Sequence, residues 1–146
     1  MRSTSIFVTR GLLLACGLLA TGIAATILVA PGPFYAGYGI DISANASLAN
    51  ELKAPAGTLL VAGLLVLVGV ARFEFAATSL AVAAVVYLSY GMSRLLSFAI
   101  DGIPHTALVS AAILELALGV VCLLDFVRLR ASARQTSGVK QLEGVA

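Results

Sequence analysis

Four long apolar stretches occupy most of this chain and constrain its fold more than any other feature. They cover about residues 6–30, 48–72, 75–98 and 104–127. About 20 helical residues span the roughly 30 Å hydrocarbon core of a bilayer. Only 11% of the residues are charged and 60% are hydrophobic, whereas a soluble domain carries about 25% charged residues. The sequence therefore predicts an all-α, antiparallel up-down bundle of four transmembrane helices in lipid.

The connections between the stretches fix the domain organisation. Short links at 71–74 and 99–103 predict tight hairpins, the second with Asp101-Gly102 as its turn. The i, i+4 spacing of Leu48, Leu52 and Ala56 extends the second helix back to residue 48, which places Pro55 inside it and predicts a kink. We predict one membrane domain over 1–130, with a periplasmic connection at 34–47. The polar segment 131–146 is predicted to be a disordered cytoplasmic tail.

The distribution of basic residues predicts the orientation. With the N-terminus inside, seven of the nine Lys and Arg residues are cytoplasmic, and only Lys53 and Arg94 lie on the other side. This positive-inside bias predicts a multi-pass membrane protein with both termini in the cytoplasm.

The N-terminal stretch has a second possible interpretation. Leu13-Leu14-Ala15-Cys16 resembles a lipoprotein cleavage box. However, Arg10 leaves only five residues before Cys16, fewer than the roughly 7–15 apolar residues of a signal peptide. We therefore predict a retained first helix.

Several classes of function lack support in the sequence. The net charge of +2 is too small to indicate a nucleic-acid partner. His105 is the only histidine and has no cluster of ligands, so no metal site is predicted. Cys16 and Cys122 lie in apolar stretches and are predicted to be inert packing residues. No nucleophile–base pair or phosphate-binding loop is present, so we name no catalytic residue and no cofactor, and enzyme activity is not favoured.

Two charged residues within the apolar stretches are the best indicators of function. A charge at bilayer depth costs about 2.5–3.5 kcal/mol on insertion scales, so it is kept where it faces protein, a partner or a wet cavity. Counting from the predicted helix ends, Arg94 lies about 6 Å deep and Glu115 about 16 Å deep. We predict that they interact, directly or through one intermediary, with Glu51 as the competing partner of Arg94.

Other polar residues fall in the same half of the predicted bundle. Together the candidates for a polar network or ligand site are Glu51, Tyr87, Tyr90, Arg94, Asp101, His105 and Glu115. One interpretation is an ion-pair network that fixes helix packing. A second is a site for a ligand, ion or proton open to the periplasm, and a third, less favoured, is catalysis. Rows of small residues, Ser89/Ser93/Ser97 and Ala111/Glu115/Gly119, predict close helix approach beside these charges.

The connection at 34–47 carries an aromatic cluster. Phe34, Tyr35 and Tyr38 are typical of a membrane interface. The segment either lies flat on the outer leaflet or covers a pocket.

Three groups of residues support a family resemblance: Asn50-Glu51-Leu52-Lys53 followed by Gly57; Ser93-Arg94-Leu95-Leu96-Ser97 followed by Asp101-Gly102-Ile103-Pro104; and Glu115 in the last helix. Their order resembles an uncharacterised family of small bacterial four-helix membrane proteins, a domain of unknown function that is broadly similar to DoxX-like proteins. The chain has Lys53 where the family pattern has arginine. The resemblance implies a bacterial inner membrane and the same characteristic polar residues, and it implies no activity.

Three functional hypotheses follow. The first is a membrane protein whose polar pocket binds or passes a small molecule or proton, in a cavity lined by Tyr87, Tyr90, Arg94 and Glu115. The second is an accessory subunit of a larger membrane complex, with a closed, dry network and an apolar groove for its protein partner. The third is an oxidoreductase subunit, which rests only on analogy with DoxX-like proteins. The two cysteines are far apart in sequence, which argues against it.

Overall fold

The computed structural model describes residues 3–42 and 45–143, and the side chains of 5–42 and 45–133. The helices are α1 (Ser3–Val29), α2 (Pro31–Ala36), α3 (Ala46–Ala71), α4 (Ala76–Asp101) and α5 (Thr106–Glu143), with a 3-10 turn at Phe73–Phe75. No strand occurs within this part of the chain. Four segments are long and apolar enough to cross a membrane: Ser5–Val29, Ala46–Ala71, Phe73–Asp101 and Thr106–Ala133. The all-α class and the four spans are confirmed.

The start of α3 is set by a side-chain cap. Asn45 accepts a hydrogen bond from the backbone N–H of Leu48 at 2.9 Å, which satisfies a donor of the first turn. Ser47 lies two residues after Asn45, inside the helix. Pro55 is accommodated within α3.

The turn between α4 and α5 lies later in the chain than its predicted position. Helix α4 runs to Asp101, and Gly102 then adopts a φ of +94°, a conformation that favours glycine. Pro104 is predicted to begin the next helix, but α5 begins at Thr106 instead. The Nδ1 atom of His105 accepts a hydrogen bond from the backbone N–H of Ala107 at 3.3 Å and caps the new start.

The far end of α5 also differs from the sequence prediction. The helix continues through residues 131–143, where the composition indicates a disordered tail. This backbone is helical. The side of the membrane on which it lies stays a prediction.

Glycines bring the spans together in two close pairs. Between α1 and α3, a Cβ atom added at Gly63 would lie 2.9 Å from the backbone nitrogen of Thr21. Between α4 and α5, a Cβ added at Gly119 would lie 2.9 Å from the backbone nitrogen of Leu88. Only glycine permits these approaches, and close contact matters because lipid supplies no hydrophobic drive for helix association.

The two pairs pack against each other through a buried core. Its residues come from all four spans: Leu13, Cys16, Val66, Ala76, Leu80, Ala83, Ala84, Tyr87 and Cys122. We call the end of the bundle that contains Thr9 and Asp125 the Asp125 end, and the opposite end the Arg94 end. The core fills the space between the pairs towards the Asp125 end, whereas a cavity occupies that space towards the Arg94 end.

Candidate functional site

Arg94 and Glu115 form a direct ion pair. The Nε–H of Arg94 on α4 donates to Oε2 of Glu115 on α5 at 2.9 Å. Their side chains are 30% and 16% exposed. The predicted interaction is therefore confirmed, and Glu115 rather than Glu51 is the partner.

The direct contact follows from where the helices end. Because α4 continues to Asp101 and α5 begins only at Thr106, Arg94 lies about 10 Å and Glu115 about 14 Å from their helix ends, at 1.5 Å per residue. With the predicted helix ends, the two residues differ in depth by about 10 Å. With the observed ends, this difference in depth is only a few ångströms. No intermediary is needed to join the two groups.

A cavity of about 310 Å³ lies beside the ion pair. It brings together Tyr87, Tyr90, Arg94 and Glu115, the four residues that the sequence predicts to share one pocket. Its other walls are mostly apolar and come from α1, α3, α4 and α5: Leu19, Ile23, Ile27, Leu52, Pro55, Ala56, Leu59, Val86, Leu108, Ala111 and Leu114. A mainly apolar cavity with a few convergent polar groups is the usual form of a small-molecule site.

The segment after α1 covers this cavity. Phe34, Tyr35, Tyr38 and Ile40 contribute to its lining. The ring of Phe34 packs edge-on against Tyr35 and Tyr38, with centroids 5.2 and 5.4 Å apart. Of the two interpretations of this segment, the cover over a pocket is the one that the lining supports.

Tyr35 faces the polar groups of the cavity. Burial raises the pKa of its phenol most, and the neighbouring Tyr90 raises that pKa further, while Arg94 acts in the opposite direction. Tyr35 is therefore a neutral hydroxyl group at physiological pH, and it adds a donor and an acceptor near Arg94.

Three sequence candidates lie outside the cavity lining. Glu51 is exposed on the first turns of α3. Asp101 accepts a hydrogen bond from the Ser97 hydroxyl at 2.9 Å, in an exposed position. His105 caps α5. Asp101 and His105 therefore make hydrogen bonds at the ends of α4 and α5, respectively.

A second polar cluster, absent from the sequence candidates, closes the Asp125 end. The Thr9 hydroxyl donates to Oδ2 of Asp125 at 2.6 Å, and Arg128 Nη2 donates to Oδ1 of Asp125 at 2.6 Å. Arg128 also donates to the Thr9 hydroxyl oxygen at 3.2 Å. Thr9 is fully buried and Asp125 is 9% exposed. The i, i+3 spacing of Asp125 and Arg128 was the one sequence signal for this cluster.

The two cysteines meet in the core. Their sulfur atoms lie 3.6 Å apart, and both residues are fully buried. Tyr87 donates its hydroxyl to the backbone carbonyl of Cys16 at 2.7 Å. Their distance in sequence is therefore no argument against proximity, and each sulfur contacts the other in a way that the sequence does not reveal. Neither cysteine lines the cavity.

The described residues contain no group of three or more His, Cys, Asp or Glu side chains that could hold a metal ion.

The model of a family described as a domain of unknown function, DUF4345, matches residues 8–125. That range includes Arg94, Glu115 and most of each span. No curated protein matches the chain, and no solved structure does. A bacterial source and a likeness to DoxX-like proteins stay predictions.

Proposed function

This chain belongs to the DUF4345 family of unknown function, and we propose that it is a membrane protein that binds a small, mainly apolar molecule in the cavity at its Arg94 end. The observation that carries the proposal is the cavity itself. Its apolar walls from four spans surround one ion pair and several tyrosines.

The volume and the exposure of the charges support binding over a purely structural role. About 310 Å³ lies at the lower end of the range of small-molecule pockets, roughly 300–1,000 Å³. A closed and dry network, as an accessory subunit would use it, predicts no such space beside Arg94 and Glu115. The cavity therefore favours the binding protein over the subunit.

The proposal includes the topology of the bundle. Contacts between α1 and α3 pair Leu13 with Gly69 and Thr21 with Gly63. Residue numbers therefore increase along α1 in the direction in which they decrease along α3. This supports an antiparallel arrangement. Together with the positive-inside bias, it supports an inner-membrane protein with both termini in the cytoplasm and the cavity open towards the periplasm.

Cysteine labelling tests this orientation. In a background without the native cysteines, Ser47→Cys should react with an impermeant maleimide in intact cells, and Ala131→Cys should react only after the membrane is permeabilised. The reverse pattern would overturn the orientation and leave the cavity proposal standing.

Filling the cavity tests the binding proposal. Ala111 lines the cavity, and Ala117 is an exposed residue of the same helix outside the lining. We expect 1,4-naphthoquinone to raise the melting temperature of the parent protein and of Ala117→Trp, because a ligand that binds only the folded state stabilises it by mass action. Ala111→Trp should lose that shift. A shift that persists in Ala111→Trp, or is absent from the parent, would contradict the proposal.

A further inference from the structure

The ion pair in the cavity uses only part of its hydrogen-bonding capacity. Arg94 meets Glu115 through Nε and Oε2 alone. An arginine carries further N–H donors on its two Nη atoms, and a carboxylate has a second oxygen. Among the described residues, no partner takes up the Nη groups of Arg94 or Oε1 of Glu115, although a forked two-bond pair is the common geometry for these groups.

The charge of the lining is balanced. Arg94 and Glu115 are the only charged side chains among the described residues that line the cavity. Together they are formally neutral, and the remaining walls are aliphatic or aromatic. A ligand that brings a full charge into this environment would leave an uncompensated charge at low dielectric, which is costly.

A neutral group that accepts hydrogen bonds meets no such cost. A carbonyl oxygen can accept from Arg94 Nη without displacing Glu115, and the hydroxyl groups of Tyr35 and Tyr90 stand on the same lining. Neither hydroxyl has a hydrogen bond to another described residue. The unused polar groups of the cavity are therefore the Nη donors of Arg94, two hydroxyl groups that can donate or accept, and Oε1 of Glu115, which accepts.

We infer that the ligand of this cavity is an uncharged lipophile with a carbonyl group, such as a quinone, a ketone or an amide, whose oxygen accepts hydrogen bonds from Arg94. This inference rests on the proposed function and adds the chemical class of the head group. The apolar body of the ligand lies against Leu19, Ile23 and Leu59, and the aromatic segment of Phe34 and Tyr38 covers it.

Four probes with the same two-ring body isolate the head group. Naphthalene carries no polar group, and 1,4-naphthoquinone carries neutral carbonyl groups. The third probe, 2-naphthoate, is an anion, and the fourth, 2-naphthylmethylammonium, is a cation. Their dissociation constants are measured on the full chain in lipid nanodiscs. We expect the quinone to bind at least about tenfold more tightly than the other three, a factor that corresponds to about 1.4 kcal/mol.

Variants connect the preference to the ion pair. Arg94→Met should weaken quinone binding to the level of naphthalene and leave naphthalene unchanged. Arg72→Met is the matched control, because Arg72 is paired with Glu74 outside the cavity. It should change neither constant.

Each other outcome overturns a defined part of the account. Tightest binding of the naphthoate would show an anion site at Arg94, and tightest binding of the ammonium would show a cation site at Glu115. Equal binding of all four probes, blocked by Ala111→Trp, would keep the binding function and reject the carbonyl class. Absence of saturable binding by every probe would reject the binding function and the inference with it.

Discussion

The two ends of the bundle each hold an arginine–carboxylate pair, and the two pairs are built differently. At the Asp125 end, both carboxylate oxygens are occupied, one by Thr9 and one by Arg128, and these two donors also contact each other. At the Arg94 end, one bond joins Arg94 to Glu115, and a cavity lies alongside. A buried carboxylate with both oxygens bonded within the protein holds helices together, whereas a carboxylate with one oxygen unused, in an ion pair beside a cavity, leaves groups that can bind a ligand.

The largest loss of stability is expected where the closed cluster is broken. Asp125→Ala removes the acceptor of the buried Thr9 hydroxyl and the partner of Arg128. We expect the free energy of unfolding to fall by about 3 kcal/mol, the lower end of the range for buried pairs, because Arg128 is half exposed. Chemical or thermal unfolding in detergent measures this loss.

The exposed pair of Arg72 and Glu74 provides the control. Their atoms also approach to 2.7 Å, but the side chains are 68% and 59% exposed. Glu74→Ala should therefore change stability by less than about 1 kcal/mol. Equal losses for Asp125→Ala and Glu74→Ala would show that the Asp125 cluster does not hold the bundle closed.

The close pair of α4 and α5 gives the next largest effect. Gly119→Ala places a methyl group against Leu88 and its backbone, and we expect a loss of about 1–3 kcal/mol from overpacking. Gly22→Ala is the matched helix variant with nothing within 4 Å, and it should stabilise slightly because alanine favours helices. If both variants behave alike, the helix approach at Gly119 is looser than described.

The cysteine pair should contribute the least. Cys16→Ala and Cys122→Ala each leave a small void in the core, and we expect about 1 kcal/mol for each. Neither residue lines the cavity, so binding of 1,4-naphthoquinone should not change in the double variant. Loss of binding there would connect the cysteines to the site and revive the oxidoreductase hypothesis.

The sequence predicts the four spans and the Arg94–Glu115 contact because both follow from one large free-energy term. That term is the cost of placing polar or charged groups in lipid. Composition and spacing report that cost directly. The contact between Cys16 and Cys122 could not be predicted, since it depends on how the first and last spans approach each other. The Asp125 cluster could not be predicted for a different reason: Asp125 lies near a predicted helix end, where a charge needs no partner to be tolerated.

The helix ends show how small errors in boundaries affect a site. The sequence places the turn between α4 and α5 at 99–103, and the structure places it at Gly102 to His105. Proline can begin a helix, which favours Pro104 as the first residue, but His105 caps the helix and its first residue is Thr106, two positions later. That shift brings Arg94 and Glu115 to nearly the same level and makes the direct bond possible.

The central claim is that the Arg94–Glu115 pair serves binding rather than stability. A double-mutant cycle with Arg94→Met and Glu115→Gln, read both as free energy of unfolding and as the dissociation constant of 1,4-naphthoquinone, tests it most directly. Because the cavity leaves both side chains partly exposed, we expect each single change to cost only about 1 kcal/mol of stability, well below Asp125→Ala. Arg94→Met should at the same time weaken binding by about tenfold or more. A loss of stability as large as that of Asp125→Ala, with unchanged naphthoquinone binding, would contradict the claim and make the pair a structural element like its counterpart at the Asp125 end.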